Sequence, residues 1–141
     1  MPNIHFFSQN TTLPLRDRTR LKAFLARLAK KEGKSLGSLN YIFCTDKALL
    51  DINRQYLKHD FYTDIITFDL SESPSALSGE IYISIDRVRD NAITLGVSVK
   101  EELHRVIFHG LLHLCGYKDK KPGEIKEMRA REGYYLQQYL K

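Results

Sequence analysis
Cysteine is scarce in this 141-residue chain: Cys44 and Cys115 are its whole complement, and their separation matches no metal-ligand spacing. Long apolar runs are missing too. No stretch approaches about 18 uncharged apolar residues, which excludes a transmembrane helix. The opening Met1-Pro2-Asn3-Ile4-His5 has no basic segment followed by an apolar run. No secretion signal is therefore visible, and reduced thiols in a cytoplasm are expected. There is no repeat, no low-complexity tract and no linker rich in Pro, Gly and Ser. The nearest approach, Ser71 to Gly79, reads as a surface loop. One domain over residues 1–141 is expected. What is present is a core-forming composition, 43% hydrophobic against 28% charged, with seven Phe and eight Tyr. That is too apolar for a disordered chain. Basic residues outnumber acidic ones by 22 to 17, for a net charge of +5. Such a balance suits contact with RNA or DNA.

Ile4 to Ser8 reads as a strand. From Asp17 to Lys31 the apolar residues Leu21, Phe24, Leu25 and Leu28 recur at helical spacing, and Gly33 closes the segment. Leu39 to Cys44 is rich in strand formers, and Asp46 is placed to cap a short helix ending near Tyr56. Ile65–Phe68 and Ile81–Ile85 read as two further strands, followed by a polar helix ending near Gly96. Ser98-Val99-Lys100-Glu101 fits a capping box at the start of the best-signalled helix, which stops at Gly116. Pro122 suits the first turn of a last helix with the apolar stripe Ile125, Met128, Tyr135, Leu136 and Tyr139. Tyr134, Tyr135 and Tyr139 are expected to pack in the core. The predicted fold is α+β: a small mixed sheet of about four strands packed with about five helices.

His109-Gly110-Leu111-Leu112-His113 places two imidazoles four residues apart on that helix. Four residues turn a helix by about 400°, so the rings lie about 40° apart, one turn above the other. Both nitrogens can then reach one metal ion. Gly116 lets the chain double back, and Asp119 lies where a returning loop supplies a third ligand. Two His and a carboxylate form a common catalytic zinc set. The same spacing leaves ordinary roles open. Two histidines can sit at a core boundary, and Asp119 can serve as the acid at the start of the last helix. Cys115, about 200° round the helix from His113, and His104, about 140° off the line of His109, point elsewhere. Arg105 shares the metal face, within reach of a phosphate bound there. Glu102 reads as a solvated charge. The zincin-like metal helix lacks one part: the peptidase pattern His-Glu-x-x-His has its general base at the second position, where this chain has Gly110.

The run His109-Gly110-Leu111-Leu112-His113-Leu114-Cys115-Gly116-Tyr117 resembles the signature of the YbeY family, His-Gly-x-Leu-His-Leu-x-Gly-Tyr-Asp-His. Asn53-Arg54-Gln55-Tyr56, Asp60, Thr63-Asp64 and Phe68 are similar to its Asn-x-x-Tyr-Arg-x-x-Asp-x-x-Thr-Asp-Val-Leu-Ser-Phe segment. Gly79-Glu80-Ile81-Tyr82-Ile83-Ser84 resembles its Gly-Asp-Ile-x-Ile-Ser strand. Two positions depart. Asp119 stands where the signature ends in His, and Leu57 stands where the family has an Arg thought important for activity. Arg54 and Lys58 lie close enough to take that role.

The resemblance implies a bacterial, cytoplasmic, metal-dependent endoribonuclease acting on single-stranded RNA. Its substrate would be ribosomal RNA, in maturation of the 16S 3′ end and in ribosome quality control, with the small ribosomal subunit as partner. One divalent ion, zinc by donor type, would be held by His109, His113 and Asp119. Arg105, Arg54 and Lys58 would contact phosphate. Two other readings stand beside this one: a non-catalytic ribosome-assembly factor with a structural metal, and a metal-dependent hydrolase of another substrate.

Overall fold
The computed structural model describes residues 3–13 and 15–141. The element order is β1 (Asn3–Ser8), α1 (Arg18–Lys31), β2 (Ser35–Cys44), α2 (Asp46–Tyr56), β3 (Ile65–Asp69), β4 (Ala76–Ser84), α3 (Ile85–Leu95), α4 (Val99–Leu114) and α5 (Pro122–Tyr139). Four strands form one sheet in the order β1-β2-β4-β3. β1, β2 and β4 run parallel, and β3 closes one edge antiparallel to β4. The α+β expectation, with its mixed sheet and five helices, is met.

The sheet buries its two faces unequally. Ile4, Tyr41, Phe43, Ile81 and Ile83 join the main core with Leu21, Leu25 and Leu28 of α1 and Ile107, Phe108, Leu111 and Leu112 of α4. Each such fully buried side chain contributes about 1.5–3 kcal/mol. On the other face, α2 covers a smaller cluster of Cys44, Leu49 and Ile66.

Helix α4 is seated on β4 at two close approaches. A Cβ at Gly110 would stand 2.9 Å from two methyl carbons of Ile81, and one at Gly79 would stand 3.0 Å from Leu114. Four residues of helix advance about 6 Å, close to the advance of two strand residues, so the two contacts repeat in step. From neighbouring β2 the buried Tyr41 hydroxyl donates to the Ile107 carbonyl of α4, at 2.9 Å. These contacts explain the residue at 110. A glutamate there would enter the sheet instead of facing the cleft.

Several boundaries differ from the sequence reading. Thr45, not Asp46, caps α2, accepting from the Ala48 N–H at 3.2 Å. Asp46 instead pairs with Arg87 at 2.5 Å and accepts from the Ser84 hydroxyl at 2.8 Å, joining α2 to α3. β2 begins at Ser35, and β4 begins at Ala76, so the expected loop at 71–79 shortens. Ile85 opens α3, capped by Ser84, whose hydroxyl accepts the Arg87 N–H. Ser98 caps α4 through the Glu101 N–H at 3.0 Å. In α5, Met128, Tyr135 and Tyr139 are buried as expected, Tyr134 is half-buried, and Ile125 is exposed.

Candidate active site
Helix α4 ends in a closed turn. The Gly116 N–H reaches the His113 carbonyl and the Tyr117 N–H reaches the Leu112 carbonyl, with Gly116 at φ +112°. Both bonds belong to the Schellman pattern, which needs a residue free to take positive φ. The chain reverses here and brings Asp119 back over the helix. At the start of α5 the Glu124 carboxylate accepts the N–H groups of Lys120 and Lys121, at 3.3 and 3.0 Å. Glu124 thus does the work of an N-terminal acid. The Asp119 carboxylate lies elsewhere, 3.2 Å from His109 Nε2.

His109, His113 and Asp119 line one cleft, together with Lys120, Asn53, the loop residues Leu57, His59 and Phe61, and edge strand β3. Each imidazole is held by its other nitrogen. His109 Nδ1 lies 2.6 Å from Glu132 Oε2, and His113 Nδ1 lies 3.1 Å from the Tyr117 carbonyl oxygen. An acceptor at Nδ1 favours the tautomer whose Nε2 is the metal-binding nitrogen. Metal-binding histidines are held in this way by a carboxylate or a carbonyl. Among the described residues, no three His, Cys, Asp or Glu side chains close into a finished cage in this conformation. The donor set nevertheless suits a borderline cation: two oriented imidazoles and a carboxylate on an open cleft.

Glu132 escaped the sequence reading. It is 1% exposed, and it also accepts from Arg105 at 2.9 Å and from Arg129 at 3.3 Å. Burial pulls its pKa up, but the His109 hydrogen bond and Arg105 outweigh burial and hold the carboxyl below its usual range. Its signal lay in the α5 stripe, where Met128, Glu132, Tyr135 and Tyr139 follow at intervals of four, three and four. A carboxylate within an apolar stripe requires a partner in the core.

Arg105 does not reach the cleft as expected. It is only 15% exposed, and its guanidinium meets Glu102 through two nitrogens at 2.8 and 2.6 Å. Asp64 stands 4.0 Å from it. Three carboxylates thus enclose one cation, and a phosphate would have to displace one of them. Glu102 is buried, not solvated. The Asp64 carboxyl is raised by burial, against the opposing pull of Arg105 and His109. Arg54 pairs with Asp60 on the outer side of the loop after α2, where Lys58 also lies, away from the cleft lining. Lys120, which sequence reasoning passed over, is a cation that does line it. The two excluded candidates stand apart as the helical angles require. His104 is buried against Tyr139 with its pKa lowered by burial. Cys115 lines a separate hollow beside Glu32, and burial pushes its thiol up to about 12.

Comparison with known proteins bears on the family of the whole chain. A family model described as Endoribonuclease YbeY matches residues 4–140. Endoribonuclease YbeY of Cytophaga hutchinsonii is 55% identical over 129 residues, covering 92% of this chain and 90% of its own. Its counterpart in Parabacteroides distasonis is 46% identical over 133 residues, covering 94% and 93%. The solution structure of TM1509 from Thermotoga maritima aligns with a TM-score of 0.65 at 28% identity, over 94% of this chain and 86% of that one. With the model match spanning residues 4–140 and relatives this similar over about nine-tenths of their length, the chain belongs to the YbeY endoribonuclease family.

Proposed function
We propose that this chain is a metal-dependent endoribonuclease that cuts single-stranded RNA, with ribosomal RNA as its substrate in the cytoplasm. One observation carries the metal dependence: two imidazoles one helical turn apart each have Nδ1 held by an acceptor, beside a carboxylate 3.2 Å from His109 Nε2. His109 Nε2, His113 Nε2 and Asp119 would hold the ion, with zinc favoured by the donor types. Bound there, it would supply Lewis acidity to the scissile phosphate.

The chain's own side chains do the rest. Glu132 keeps the proton of His109 on Nδ1, and the Tyr117 carbonyl does the same for His113. Arg105 balances Glu132 so that the carboxylate stays charged while buried. Lys120 offers a cation to the phosphate oxygens. Arg54 and Lys58, outside the cleft, meet the RNA backbone further along the strand. Two free thiols suit a reducing compartment. The peptidase alternative loses its base, because position 110 faces Ile81. The open cleft favours catalysis over a purely structural metal.

The test is cleavage of a single-stranded ribosomal RNA fragment by wild type, wild type with chelator, and His113→Ala. Activity is expected only in the first, and the folded variant is expected to bind no zinc. A His113→Ala protein with full metal occupancy would falsify the ligand assignment. Intact RNA with metal-loaded wild type would turn the reading to an assembly factor.

A further inference from the structure
Part of the cleft that holds the two α4 histidines is lined by aromatic and apolar side chains. Leu57, His59 and Phe61, on the loop between α2 and β3, line the same cleft as His109, His113, Asp119 and Lys120. Phe61 is 55% exposed, and the His59 and Phe61 rings stack with centroids 5.1 Å apart and planes 21° apart. The loop is held in place from beneath. Buried Asn53 donates from Nδ2 to the Phe61 carbonyl at 2.8 Å, and its own carbonyl accepts the N–H groups of Leu57 and His59. A pre-positioned pair of stacked rings, left open to water inside a cleft, is a surface arranged for a flat apolar ligand.

We propose that the His59–Phe61 pair, flanked by Leu57, is a stacking platform for one unpaired nucleobase of the RNA strand. It holds the adjoining phosphate against His109, His113 and Asp119. This rests on the RNA-cleaving reading of the cleft. The charge around the wall suits the same occupant. Lys120 lies in the cleft and Lys58 on the loop's outer side, where Asp60 offsets Arg54, so a lysine stands on each side of the rings for an anionic backbone. A base inside a duplex has its faces covered by its neighbours, whereas an unpaired base can lie on an aromatic ring. The platform therefore selects single strands by the availability of a base face. It also gives Leu57 a role. At the position where the family pattern has Arg, this chain puts an apolar side chain on the wall, which grips a base where a cation would grip a phosphate.

The chain contains no Trp, so Phe61→Trp introduces a single fluorescent reporter at the platform. The ligand is a short single-stranded oligonucleotide with 2′-O-methyl sugars, checked for integrity after incubation. Phe61→Ala is expected to weaken binding by about ten- to a hundredfold, the range for loss of one base–aromatic stack. Phe61→Trp, which keeps an aromatic face, is expected to bind more tightly than Phe61→Ala and to lose emission as the oligonucleotide is added. Replacing one nucleotide by an abasic unit should weaken wild type by a similar factor and Phe61→Ala much less, since both changes remove the same contact. Circular dichroism and melting checks that each variant is folded. Phe61→Ala binding as tightly as wild type, or a Trp signal that ignores bound oligonucleotide, overturns the platform while leaving the nuclease reading intact. Wild type that neither binds nor cuts any single strand removes both. Self-association lost in Phe61→Ala with RNA affinity unchanged assigns the wall to a second copy of the chain and also overturns the proposal.

Discussion
Buried Glu132 and partly buried Glu32 are both carboxylates that receive an arginine, yet their remaining partners differ. Glu132 takes Arg105 and the Nδ1 side of His109. Glu32, just past α1, takes Arg131 at 2.6 Å, the Tyr117 hydroxyl at 2.8 Å and the Tyr135 hydroxyl. In both, burial pushes the carboxyl up and its partners more than reverse the push. The same device therefore serves two ends. One carboxylate orients His109, a proposed metal ligand, directly. The other ties α1 and α5 to the turn that carries Tyr117, whose carbonyl holds His113. Direct contact and support through a loop should separate when metal affinity and stability are measured independently.

Glu132→Gln should produce the largest effect. Zinc affinity, read by competition with a chromophoric chelator, is expected to fall about 10- to 100-fold, the usual cost of losing a ligand's outer partner. Urea unfolding is expected to lose about 2–3 kcal/mol, because Arg105 loses one of its counter-charges and keeps Glu102 and Asp64. Unchanged zinc affinity would break the comparison at its centre. Glu32→Gln is expected to cost about 2 kcal/mol in the same unfolding assay, with a smaller change in zinc affinity than Glu132→Gln. Equal losses of metal from both variants would mean that the loop matters as much as the imidazole contact.

A pH series sharpens the second case. Glu32 has a folded pKa below its ordinary value of 4.5, so its contribution is fully present above that pH. The contribution is lost as pH falls through the folded value. The stability gap between wild type and Glu32→Gln should therefore be constant from neutral down to about pH 5 and close under more acid conditions. A gap that widens in acid would reverse the sign of the shift. Arg129→Ala should have the smallest effect, about 0–1 kcal/mol, because this partner of Glu132 is mostly solvated. A larger loss would move the charge balance of Glu132 away from Arg105.

Local signals were legible in the sequence. The α4 histidine pair, the Ser98 cap and the Gly116 stop all depend on residues within a few positions of one another. The periodicity of α1 and the strand runs did too. What escaped was long-range pairing. The face of Arg105 could be deduced from helical angles, but its engagement by Glu132 spans 27 residues of chain. Reading α5 as a purely apolar stripe hid Glu132, because burial of a carboxylate makes sense only once Arg105 and His109 are seen opposite it. Asp46 was misassigned as a cap for a similar reason: its partner Arg87 lies 41 residues away. The platform residues were passed over because exposed aromatics carry no periodic pattern.

Translation proceeds from the N-terminus, so α4 is synthesised before α5. A growing chain that has made His109 but not Glu132 has an imidazole without its Nδ1 partner and an Arg105 without one of its counter-charges. Docking of α5 is then the maturation step of the site. An enzyme built in this order carries its own delay: the surroundings of His109 are complete only once α5 has been made and has packed against α4.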